Sequence, residues 1–217
     1  MTRYERPEVD LPVMRDAQQR IVDYGNRWAE NPPQEAYSVD THPERFAPLY
    51  TVADALVTFL HDTYDVELVT AVETAADLLH PPSDVIRAVR VRPAKGAPLT
   101  FVYTPYPGVS VHAGLLHDFH YPTCGCDACD STWAGEADDL ESLVLAVASG
   151  GFSESIEGIV RPRVTYSITS PGRVESGRSR ASTDLAKRLH AARPILRNLT
   201  NGWDPWPQKP SAPTRKT

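Results

Sequence analysis

Apolar residues in the first third of the chain recur at intervals of three and four. Met14, Ala17, Ile21, Tyr24 and Trp28 keep this spacing, which stacks them on one face of a helix expected from about Pro12 to Pro32-Pro33, where proline forbids continuation. A second helix is expected to begin at Thr41-His-Pro-Glu44: Thr41 can cap free backbone N–H groups, Glu44 can reach back, and Pro43 fits the first turn. Phe46, Leu49, Ala53, Leu56 and Leu60 form its apolar stripe. From Val66 to Leu79 the pattern suits either a helix or a short Val-rich strand, and the helix is favoured.

From Val85 the period changes to two. Val85 to Arg92, Leu99 to Thr104 and Val109 to Ala113 predict successive strands of an antiparallel meander, with turns at Lys95-Gly96 and between Pro105 and Gly108. A cysteine loop follows. Asp138 to Ala148 predicts a helix ended by Gly150-Gly151, and Val164, Tyr166 and Ile168 alternate as a strand. Ser182 is placed to cap a last helix through Leu185, Leu189 and Ala192, limited by Pro194. The fold class expected is therefore α+β: a helical N-terminal half, an antiparallel β-meander followed by a cysteine loop, then helix, strand, helix. Residues 1–207 are expected to form a single domain and 208–217 a disordered tail, with Trp203 and Trp206 docked on the domain.

Composition narrows the class. An apolar fraction of 41% and a charged fraction of 23% over 217 residues are those of a globular protein with a sizeable core. A net charge of −6 argues against general nucleic-acid or anionic-membrane binding, which needs a positive field. No segment approaches the roughly 18 to 20 apolar residues of a membrane span, and the charged N-terminus does not read as a signal peptide, so a cytoplasmic protein is expected. Of the 22 basic residues 18 are arginine, as in proteins from GC-rich genomes.

The chemistry concentrates in Cys124-Gly-Cys126-Asp-Ala-Cys129. Thiolates at i, i+2 and i+5 can supply three of the four tetrahedral ligands of a zinc ion, and Gly125 permits a tight turn. His120, four residues upstream, is the expected fourth ligand, ahead of His117 and His112. All three cysteines within six residues make a disulfide scaffold a poor reading in a reducing compartment. A Cys126/Cys129 dithiol is disfavoured because Asp127 and Asp130 would raise thiol pKa values. His112-Ala-Gly114 and Pro122-Thr-Cys124 faintly echo zinc deaminases, but Gly114 stands where the catalytic Glu is required. Arg173, Arg178 and Arg180 ahead of Ser182 could hold a phosphate, although a solvated loop suits them better.

Tyr121-Pro-Thr-Cys-Gly-Cys-Asp-Ala-Cys-Asp130, Gly151-Phe-Ser-Glu154 and the closing Gly-Trp-Asp-Pro-Trp-Pro207 together resemble an uncharacterised actinobacterial family of unknown function. The resemblance covers most of the chain and implies a source, not an activity. The function expected from the residues is a binding or interaction module with a structural zinc site, its partner an unidentified protein or small molecule. The alternative is a metal-dependent hydrolase with an open zinc position, for which Asp118, Asp127 or Asp130 would serve as the nearby carboxylate.

Overall fold

A computed structural model describes residues 3–210. Among them are three α-helices and eight strands in two antiparallel sheets, so the α+β expectation holds. Helix α1 (Pro48–Thr63) follows a 3-10 turn at Pro43–Phe46. Strands β1 (Val66–Thr70), β2 (Arg87–Pro93), β3 (Leu99–Thr104), β4 (Gly108–Ala113) and β5 (His117–Tyr121) pair in sequence order as one meander. Helix α2 (Trp133–Ala148) leads to the small sheet β6 (Phe152–Glu157), β7 (Arg163–Ser170) and β8 (Arg173–Arg180), and α3 (Ala186–Arg197) closes the order.

Strand alternation divides the five-stranded sheet into two unlike faces. Val89, Val91, Leu99, Phe101, Tyr103, Val109, Val111 and Ala113 point inward and join Phe46, Leu49, Val52, Leu56 and Leu60 of the first helical segment and Leu140, Val144 and Val147 of α2 in the main core. The predicted α1 stripe is fully buried, as its spacing required. The outer face is covered only in part, by a 3-10 segment at Val72–Asp77 that packs Ala75 and Leu78 on Ala88 and Val102. Helix α3 seals a smaller core of Leu116, Val164, Leu189, Ala192 and Leu196.

Helix α2 ends as expected: Gly150 takes φ +81°, and a Cβ there would come within 2.8 Å of the Pro205 backbone nitrogen. That close approach is where the C-terminal segment docks. Trp206 is 3% exposed and its Nε1 donates to Ala97 O at 3.0 Å, while Trp203 Nε1 donates to Glu154 Oε1 at 3.0 Å. Backbone pairing runs past Pro207, with Gln208 bridged to Tyr64 and the Lys209 N–H donating to Thr63 O at 3.0 Å. The remainder of the expected tail, residues 211–217, lies outside the described residues.

Several expectations are overturned. The helix over Pro12–Pro32 does not form; Asp16 accepts from the N–H groups of Gln18 and Arg20, folding a tight turn in which Arg15 bridges Ile21. Of the expected stripe Ala17 and Ile21 are exposed, Ile21 by 64%, while Met14, Tyr24 and Trp28 are partly buried without sharing a helix face. Thr41 caps no helix, because its hydroxyl is bonded to Asp127. Val66 to Leu79 is β1 followed by a 3-10 segment, since β2 offers β1 a pairing partner. Ser182 makes no cap bond and Pro194 does not end α3, which runs on to Arg197. The Arg173–Arg180 stretch is a strand, in which Arg173 pairs with Asp139 and Glu175 and Arg178 with Glu157, so two of its three cations are neutralised.

Candidate metal centre

The cysteine loop joins β5 to α2. Thr132 begins the helix, its side chain accepting from the Gly135 N–H at 3.1 Å. Upstream, the loop is pinned to the N-terminal segment. The Asp127 N–H donates to Val39 O at 2.7 Å, the Ala128 N–H to Ala36 O at 3.0 Å, and Trp28 Nε1 to Asp127 O at 3.1 Å. The Arg27 N–H donates to Asp130 Oδ2 at 2.9 Å. The loop thus gives an extended, largely irregular segment something to pair with.

Arg45 is the post between them. Only 2% exposed, it donates to Gly125 O at 2.7 Å and to His42 O at 2.9 Å, and its guanidinium lies 4.2 Å from the ring centroids of both Tyr24 and Phe46. A side chain at Gly125 would have to push the Tyr106 ring aside, because its Cβ would fall 1.7 Å from Tyr106 Oη. Asp127 is buried. Burial acts to raise its pKa, but bonds from the Thr41 hydroxyl and amide and the charge of Arg27 outweigh it and hold the carboxylate below its ordinary value.

The three Sγ atoms lie within 4.8 Å of one another, and those of Cys124–Cys126 and Cys126–Cys129 are 3.4 Å apart. Thiolates about 2.3 Å from a tetrahedral zinc stand about 3.8 Å apart, so the cluster needs only a slight opening to accept an ion. The thiols are free, with Cys129 exposed and the other two partly so. Burial acts to raise the Cys126 pKa, yet hydrogen bonds from the Cys129 N–H, the two neighbouring thiols and the Ser38 N–H bring it down to about 7. Cys129 is pushed up to about 12, first by its bond with Cys124 and then by Cys126. The lowered pKa of Cys126 favours a thiolate at one corner of the trio, an arrangement compatible with a metal site.

Among the described residues this group contains the three cysteines and no histidine. His120 is exposed, and its Nδ1 meets Ser110 Oγ at 2.8 Å. His117 Nδ1 meets Glu154 Oε2 at 3.0 Å, and His112 Nδ1 meets Asp118 Oδ1 at 2.6 Å. Sequence reading missed the parts played by Arg45 and Asp127. Both lie far along the chain from what they hold, and a lone Arg before an apolar stripe carries no local signal.

Fold and loop together define an α+β domain whose N-terminal segment is fastened by a three-cysteine loop. The chain belongs to a family of unknown function (DUF6226), matched over residues 10–210. No curated protein and no solved structure matches it. No helix among the described residues is long and apolar enough to cross a membrane.

Proposed function

We propose that the protein is a binding or interaction module in which Cys124, Cys126 and Cys129 hold one structural zinc ion. The observation that carries the reading is the convergence of three sulfur atoms within 4.8 Å on a loop that also fastens residues 24–42. Zinc would draw the three sulfurs onto one centre and lock the loop that Arg45 and the Asp127 contacts hold to the N-terminal segment. His120 is the proposed fourth ligand, giving the site a charge of −1. Its exposed ring can turn at the expense of the Ser110 bond, and Thr123 Oγ1 donates to His120 O at 3.3 Å, linking the strand end to the loop.

Chelation tests this reading. A zinc chelator should open the N-terminal segment to limited proteolysis near residues 24–42 while leaving the main core folded. An unchanged cleavage pattern would refute a fastening role. The second reading, a hydrolase with water in the fourth position, is favoured by one observation: Asp130 Oδ1 is buried without a hydrogen-bond partner, a carboxylate oxygen in the loop still able to take a proton. Under that reading His120→Ala leaves zinc affinity unchanged; under the first it weakens it.

A further inference from the structure

The outer face of the five-stranded sheet carries a second constellation that shares no residue with the cysteine loop. Register places Arg90 opposite Thr100, Thr100 opposite His112, and His112 opposite Asp118, one polar row crossing four strands. Thr100 is 1% exposed and His112 5%. Apolar residues would pack there at lower cost, since each buried polar group must find a partner.

The partners come from the 3-10 segment above the row. Asp77 accepts from Arg90 Nε at 2.5 Å, from its other guanidinium nitrogen at 2.6 Å and from Thr100 Oγ1 at 2.6 Å. Two residues on, the Leu79 N–H donates to Asp118 Oδ2 at 2.7 Å. Asp118 is thereby fixed on one oxygen by backbone and on the other by His112 Nδ1, which orients the imidazole. Its Nε2 has no hydrogen-bond partner among the described residues.

Beside the row, between the sheet and α3, lies a cavity of about 350 Å³ lined by Asp77, Arg90, Arg92, Thr100, His112 and Arg188 among others. That volume is at the small end of ligand pockets, which run from about 300 to 1,000 Å³. Asp77 neutralises Arg90. Arg188 instead donates to the backbone carbonyls of Asp77 and Ala76 and has no carboxylate partner among the described residues. Arg92 reaches Glu67 only at 3.7 Å, with both side chains more than half exposed. The wall is thus locally positive on a chain of net charge −6.

We propose that this cavity binds a small molecule bearing a phosphate or carboxylate group with an O–H donor on or beside it. Arg188 and Arg92 take the oxyanion, and His112 Nε2, held by Asp118, accepts the ligand's O–H. The forked guanidinium suits either oxyanion, and the His112–Asp118 pair selects for the donor.

The test titrates the full chain with inorganic phosphate, lactate and acetate, following amide and imidazole NMR signals. Hydrogen phosphate and lactate carry the O–H donor; acetate does not. Saturable shifts at His112 with phosphate or lactate, and weaker binding of acetate, are expected, and which of the two binds more tightly identifies the oxyanion. Arg92→Gln and Arg188→Gln should each weaken binding by about tenfold. His112→Asn keeps a donor for Asp118 but has no Nε2, so it should abolish the preference over acetate while leaving the melting temperature close to the parent's. Arg92 is exposed, so its variant separates charge from folding even if Arg188→Gln proves unstable. Absence of saturable binding by all three anions up to tens of millimolar, or binding indifferent to both Arg92→Gln and His112→Asn, overturns the proposal.

Discussion

Replacing Arg45 by Met keeps the length of the side chain and removes the charge and every donor. The structure sets the size of the loss. Two short bonds, to Gly125 O at 2.7 Å and His42 O at 2.9 Å, are each worth about 1.5–3 kcal/mol when the donor is charged. Their loss leaves Gly125 O unpaired, while His42 O keeps the Arg45 backbone N–H at 3.2 Å. The stacking on Tyr24 and Phe46 contributes about 0.5–2 kcal/mol more. Against this, Met avoids the desolvation of a guanidinium that is 2% exposed. A net destabilisation of about 2–4 kcal/mol follows, which at about 2–4 °C per kcal/mol for a chain of this length lowers the melting temperature by about 4–16 °C. Calorimetry of Arg45→Met beside Arg20→Met is the assay, since the side chain of Arg20 is 75% exposed and its loss should be nearly silent. Arg45→Lys should recover only part of the loss, because an ammonium cannot span both carbonyls and stack. Because Gly125 lies between two of the cysteines, Arg45→Met should also weaken zinc. If it melts within a degree of the parent and binds zinc equally well, Arg45 is not the post described above.

Trp206→Ala should cost about 3–5 kcal/mol, read by denaturant unfolding, because it empties a buried indole site and leaves Ala97 O unpaired; a change below 1 kcal/mol would mean the segment is only loosely docked. Zinc affinity should fall with pH, and more steeply below about 7. Above that value Cys126 is already a thiolate and binding displaces the proton of Cys129, whereas below it Cys126 must also lose one. Competition titrations with a chromogenic chelator from pH 6 to 8 measure the slope, and a flat profile contradicts thiolate ligation.

The parts of the fold that could be read from sequence are those whose periodicity is answered by a nearby face. Phe46 to Leu60, the three central strands and Asp138 to Ala148 are all of this kind, each burying its stripe in one core. The failures have a common cause. Met14 to Trp28 has helical spacing, but Tyr24 and Trp28 are taken up by Arg45 and the cysteine loop, and local bonds to Asp16 fold the stretch before them into a turn. Strands β1, β5 and β8 exist because a partner strand supplies their ladder, and short polar-rich runs such as His117-Asp-Phe-His-Tyr121 give little alternation to read. The cysteine cluster was legible because its ligands are local. What grips it was not: Arg45 and Thr41 meet the loop across about 80 residues of chain. The Arg90–Thr100–His112–Asp118 row was equally hidden, since it exists only once register is set.

The central claim is one zinc ion on Cys124, Cys126 and Cys129, and metal analysis of protein purified without added metal tests it most directly, with ligand identity from X-ray absorption. The account predicts one equivalent of zinc, three sulfurs at about 2.3 Å and one nitrogen at about 2.0–2.1 Å, lost when any of the three cysteines becomes serine. Protein free of zinc, iron and copper, with three freely titrating thiols and no uptake of added zinc, would contradict it.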